Sequence, residues 1–363
     1  MNTLNATTLG IEFHVFSIEN QLESVQLVTN TESTTTDIKI FTDKLYTQAK
    51  DAKNKRKYLF KRESTEVQNL LKNVLNKYIN EDQDFKEVFI QKSELIAERL
   101  LTVQKDFANR YTGINPPKDG CLVILISKME DKWNILLTKI NLELFLDQDD
   151  SKYRTGLPDN NATQKSCYLE FDNIDDELTL TDIIVTDSKA KISPFWTDDF
   201  LELEEINDNQ SNTFHAYNTI EKVLDTTLKK SSSGDYVKLR NSLIGYFETK
   251  SEFKLEEMVD YVIGDYQLES NNVTIETIKT KLYNLTDNKH FDTAFTIDNS
   301  RIKNKFKKTY KISEKIDLRT NSYIEDLKEI IKARTNEEGE KVLEIRNIED
   351  NVFEMFKEES GEE

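Results

Sequence analysis

The segment Cys121-Leu122-Val123-Ile124-Leu125-Ile126-Ser127 constrains the fold of this chain more than any other. Its apolar residues run without polar interruption and follow Asp119-Gly120 directly, the pattern of a strand buried on both faces. Met129-Glu130-Asp131-Lys132 then reads as a hairpin turn, with residues 133–140 as a second strand pairing with the first. Two further strands fit residues 167–171 and 178–185, and Ile11, Phe13 and Val15 alternate with polar neighbours in another, with Val25 and Leu27 patterned similarly. The Thr-rich residues 29–37 read as a loop or hairpin connection.

Helical spacing begins near Thr42 and is clear over residues 64–111. Val67, Leu70, Leu71, Val74, Leu75 and Tyr78 form one stripe, entered through Ser64-Thr65-Glu66. Leu95, Ile96, Leu100, Leu101 and Phe107 form another, with Ser93 as the expected cap of a helix over 93–110. The expected fold class is therefore α+β: an N-terminal mainly antiparallel sheet with helices over residues 1–209, a central helical domain over 210–289, and a small C-terminal α+β region with an acidic tail over 290–363. In the helical domain Ser231-Ser232-Ser233-Gly234 separates the first two helices, and in the last region strands flank a short helix.

Charge limits the function. The chain has 49 Lys+Arg against 67 Asp+Glu, a net charge of −18, which spread evenly would repel nucleic acid and anionic lipid. The charge is segregated instead. Residues 44–62 hold eight bases and one acid, a net of +7, and residues 301–319 hold eight bases and two acids, a net of +6. Between them, residues 140–208 carry 18 acids and five bases. Each basic run could be a solvated face of a single element; two of them in so acidic a chain shift the expectation toward anion binding. Lys53, Lys55, Arg56, Lys57, Lys61 and Arg62 interleave with Tyr58 and Phe60, and Arg301, Lys303, Lys305, Lys307, Lys308 and Lys311 with Phe306 and Tyr310. In an extended chain Lys53, Lys55 and Lys57 share one face, and so do Lys303, Lys305 and Lys307. Each set would then make a cationic row matched to successive phosphates; in a helix the row is lost.

Catalytic signals are sparse. No phosphate-binding Gly-rich loop or His-Glu-x-x-His occurs, and His14, His215 and His290 are dispersed. Cys121 and Cys167 read as core residues, and His14 and His215 as structural histidines. Asp147, Asp149 and Asp150 lack the Gly and distal Glu of a calcium loop. Glu170 with Asp187-Ser188-Lys189 is a weak match to a two-acid-plus-lysine nuclease. No catalytic residue, cofactor or metal is expected, and no run approaches a membrane span, so a cytoplasmic protein is expected.

The order of these features resembles the bacterial nucleoid-associated proteins of the NdpA (YejK) type. Lys53–Phe60 leading into the Ser64 helix, the double strand over 119–140, and Pro194-Phe195-Trp196 with Phe200-Leu201 carry the resemblance, as does the apolar-then-basic pattern of residues 295–311. It spans about residues 10–350 and implies a cytoplasmic, nucleoid-located protein that binds double-stranded DNA. The family's relatives include accessory proteins of phage-defence type. The alternative is therefore a phage-defence component that acts through protein–protein and DNA interaction, with a partner from a defence operon. A homodimer is compatible with either. The heavy acidic block departs from general DNA coating, and the resemblance brings no catalytic residue.

Overall fold

The computed structural model describes residues 9–32, 36–111, 117–129, 132–158, 164–174, 177–188, 192–269, 272–288 and 290–357. The expected hairpin-turn residues Glu130 and Asp131, Lys189 of the nuclease-like trio, and the acidic end at 358–363 lie outside them. The chain forms two compact units. The first comprises residues 1–212 with 286–296, the second 213–285 with 297–363. Against the three successive regions expected, the central helices and residues 297–363 form one unit, and residues 286–296 belong to the first.

The fold class is α+β. In the first unit, strands β1 (Leu9–Ile18), β2 (Gln26–Asn30), β3 (Arg56–Phe60), β4 (Gly120–Met129) and β5 (Lys132–Asn141) are followed by a small hairpin, β6 (Glu143–Leu146) and β7 (Tyr153–Gly156). Strands β8 (Gln164–Ile174), β9 (Glu177–Asp187) and β10 (Leu203–Glu205) complete the set. Eight of them make one antiparallel sheet, in the order β10-β3-β9-β8-β5-β4-β1-β2.

The unbroken apolar run of β4 now has its reason. Leu122, Ile124 and Ile126 pack with the buried side chains of helices α2 (Glu66–Ile79) and α3 (Phe85–Arg110), while Cys121, Val123 and Leu125 pack with Leu45, Tyr46 and Ala49 of helix α1 (Thr36–Lys50). Both sheet faces are dry, so neither parity of β4 can be polar. Gly120 is required where β4 leaves the loop: a Cβ there would lie 2.1 Å from the Ile140 carbonyl oxygen across the ladder. The aromatic segment after β9 winds into a wide helical turn, Phe195–Phe200, closed by the Leu201 N–H on the Trp196 carbonyl at 3.1 Å, and buries Phe195, Trp196 and Phe200 against α3.

Two local expectations are corrected. Helix α1 begins at Thr36, inside the Thr-rich stretch, and α3 begins at Phe85, eight residues before the expected cap. Phe85 and Phe89 extend the buried stripe of Ile96 and Leu100 backwards, so Ser93 is an interior residue. Its hydroxyl sits 3.1 Å from His14 Nδ1, and the His14 ring stacks on Phe89 at 4.0 Å. His14 is structural, and burial holds it down to about 4.

The second unit packs helices α4 (Asn209–Leu228, from Thr213 onward), α5 (Ser233–Thr249), α6 (Leu255–Val262) and α7 (Ile275–Tyr283) around Leu224, Leu243, Phe247, Val259 and Ile278. Two short hairpins follow, Lys308–Lys311 with Asp317–Thr320 and Ile331–Thr335 with Lys341–Ile345, and then a last short helix, Asp350–Phe356. No helix among the described residues is long and apolar enough to cross a membrane.

Candidate anion-binding surfaces

The two basic strips have opposite fates. In the first unit, residues 56–60 become β3, paired on one side with β9 and on the other with β10. Arg56 and Lys57 are pulled into the interior, at 6% and 8% exposure. The Arg56 guanidinium donates to Glu205 at 2.6 Å and stands 3.9 Å from the Asp292 carboxylate. Asp292 in turn accepts from the Lys57 backbone N–H at 2.9 Å and from Asn212 Nδ2 at 2.7 Å. Burial still pushes its carboxyl above the ordinary aspartate range.

The remaining cations of the strip are also engaged. Lys57 Nζ donates to Asp182 at 3.1 Å, Lys61 pairs with Asp198, and Arg62 donates to Glu202 at 3.1 Å. Lys55 Nζ donates to the Lys50 carbonyl at 2.6 Å, at the C-terminal end of α1, where a cation complements the helix dipole. Asp182, Asp198, Glu202 and Glu205 all belong to the acidic block. Four of the 18 acids in that block thus serve as counter-charges of the first strip. Arg56 and Lys57 are therefore unavailable to phosphate, which corrects the expectation of a cationic face at 53, 55 and 57.

In the second unit, residues 301–311 do not run extended throughout. Ile302 and Phe306, four apart and buried, draw Lys303–Phe306 into a single helical turn, and only Lys308–Lys311 is strand. The straight row through Lys303, Lys305 and Lys307 is not formed. The cations nonetheless stay outside: Arg301, Lys303, Lys305, Lys307 and Lys311 are exposed and Lys308 half-buried. Among the described residues none of these six lies within 4.0 Å of a carboxylate.

Neutral groups hold them in place. The Arg301 guanidinium lies 4.6 Å and Lys305 Nζ 5.1 Å from the centre of the Phe214 ring, and Lys307 Nζ donates to Asn304 at 2.9 Å. Beneath them Arg240, buried, donates to Glu221 at 2.5 Å and to the Lys305 carbonyl at 2.6 Å, so the backbone of the turn is fixed from inside. Phe214 and Arg240, supporting residues that the charge pattern missed, lie far from the strip in sequence. Only an aromatic or basic residue on an otherwise apolar helix face could have marked them.

The nuclease-like pair does not assemble. Strand alternation puts Glu170 with Tyr168 on the α1 side of the sheet, where it pairs with Lys132. Asp187 shares its parity with Ile183 and Val185 on the opposite side, and is buried against Lys165 and Ser193. One metal ion cannot meet both carboxylates. Asp147 and Asp150 bind Arg154 at 2.8 and 3.1 Å, and no group of three metal-ligating side chains occurs among the described residues. Cys121 and Cys167 are buried free thiols, both pushed up by burial, Cys121 to about 11.

No protein-family model matches the chain, and no curated protein matches it.

Proposed function

We propose that the protein is a nucleoid-associated DNA-binding protein that contacts the phosphates of double-stranded DNA through the second unit, without catalysis. The observation that carries this reading is the set of six cations at 301–311 that stay clear of every described carboxylate, in a chain with 18 more acids than bases. An acidic protein that leaves such a patch uncompensated keeps it attractive to a polyanion while its other surfaces repel one. Arg301 and Lys305, braced on Phe214, are held at lower side-chain entropy than free surface cations. Contacts of this kind give affinity rather than base readout. The nucleoid setting rests on the resemblance of the sequence alone.

Fluorescence anisotropy with a mixed-sequence duplex tests the reading. Affinity is expected to fall steeply as salt rises from about 50 to about 200 mM, and Lys303→Glu/Lys305→Glu/Lys307→Glu is expected to flatten the log–log slope by about 3. Undiminished duplex binding by the folded triple variant would remove the patch from the function.

A further inference from the structure

The second unit also holds a cavity of about 550 Å³, which shares only Lys308 with the six cations proposed to contact phosphate. That volume lies within the range of sites for small organic ligands. One side is the face of α5 that carries Val237, Asn241 and Ile244, and the inner faces of the two hairpins supply Tyr310, Leu318 and Ile331. The hairpin alternation explains this lining. Lys308, Tyr310, Leu318 and Thr320 point inward, while Thr309, Lys311 and Arg319 point to solvent.

The charge around the cavity is one-sided. Lys229, Lys238, Arg240, Lys308 and Lys328 all line it, and no Asp or Glu does. The neighbouring acids offset only part of this. Glu221 takes Arg240 and Asp225 takes Lys229 at 2.7 Å. Glu269 is shared between Lys328 and Lys238, the latter at 3.8 Å, and Lys308 meets no carboxylate within 4.0 Å among the described residues. Asp235, buried in the first turn of α5, acts on Lys328 as well, so five cations face four acids and one ammonium group remains in excess over an apolar floor. Ser233 and Gly234, the first residues of the seventeen-residue helix α5, line the same cavity, so its dipole adds to the positive end.

We infer that this cavity binds a small amphipathic anion, an acyl or aryl carboxylate, with its apolar body on Ile244, Tyr310, Leu318 and Ile331 and its headgroup between Lys238, Lys308 and Lys328. An uncharged apolar molecule would leave the excess ammonium group to be desolvated without a partner, and an inorganic anion would leave the apolar floor unfilled. Both halves of the ligand are thus specified.

Binding of 8-anilinonaphthalene-1-sulfonate to the full chain, followed by fluorescence at constant ionic strength, provides the test. Saturable one-site binding is expected, displaced by dodecanoate and not by dodecanol at equal concentration. Lys308→Glu and Lys238→Glu, both at half-buried positions, are expected to weaken the probe about tenfold or more each, as loss of a charge-assisted contact does. Leu318→Trp, which fills the floor without altering charge, is expected to weaken it as well. Non-saturable binding, equal displacement by dodecanol, or unchanged affinity in both charge reversals would each overturn the assignment. Duplex binding by Lys238→Glu reads the DNA proposal separately, because Lys238 lies outside residues 301–311.

Discussion

Residues 53–62 and 301–311 are nearly interchangeable as strings of Lys, Arg and aromatic residues, yet the fold treats them differently. The first strip becomes an inner strand and meets carboxylates from β9, β10 and residues 198–202, together with Asp292. The second makes a turn and an outer hairpin, steadied by an aromatic ring, an amide and a buried arginine. A basic run thus reports a charge requirement that the protein's own acids can satisfy. Only the run left uncompensated is available to a partner.

The contrast can be broken most forcefully at Arg56. Arg56→Met leaves the Asp292 carboxylate buried without its cation, and a loss of about 3–5 kcal/mol in unfolding free energy is expected from denaturant titration. Duplex affinity of the folded fraction should not change. A stability loss under about 1 kcal/mol would mean that Arg56 is not the internal counter-ion described here.

An acid titration separates the first unit from the second by a different group. The folded-state pKa of His14 is depressed to about 4 by burial, against 6.5 in the unfolded chain. The unfolded state therefore takes up the proton first. The stability that neutral His14 maintains is complete above about pH 6.5 and is lost as pH falls toward about 4, by up to about 3 kcal/mol. His14→Gln should flatten that part of the stability profile; an unchanged slope would place the acid-sensitive group elsewhere.

The smallest effect is expected at the rim of the first strip. Arg62 is 72% exposed beside Glu202, so Arg62→Ala should change stability by no more than about 1 kcal/mol, and by less at high salt. A larger, salt-insensitive loss would show that the whole strip, not only Arg56 and Lys57, is structural.

What could be read in advance follows from the range of the interactions. The β4 run announces a strand dry on both faces because alternation is a local property, and the flanking hairpin strand follows from it. The compensation of the first strip is not local. Lys57 meets Asp182 at a separation of 125 residues, Arg56 meets Glu205 at 149, and Asp292 reaches the Lys57 backbone from 235 residues away. No run-length or charge count contains those pairings. The start of α3 was obscured by Ser93, which has the chemistry of a cap and serves as the partner of a buried histidine. The helical turn at 303–306 was legible from Ile302 and Phe306, but the more conspicuous lysine alternation competed with it. The cavity-lining lysines at 229, 238 and 328 lie in separate parts of the sequence and become a set only through folding.

The central claim is that one basic strip is internally neutralised and the other is not. The most direct measurement compares the salt dependence of duplex binding for two variants of equal charge change, Lys53→Gln/Lys61→Gln/Arg62→Gln and Lys303→Gln/Lys305→Gln/Lys307→Gln. The account predicts a wild-type slope for the first and a slope shallower by about 3 for the second. Equal losses in both, or a loss confined to the first, would contradict it.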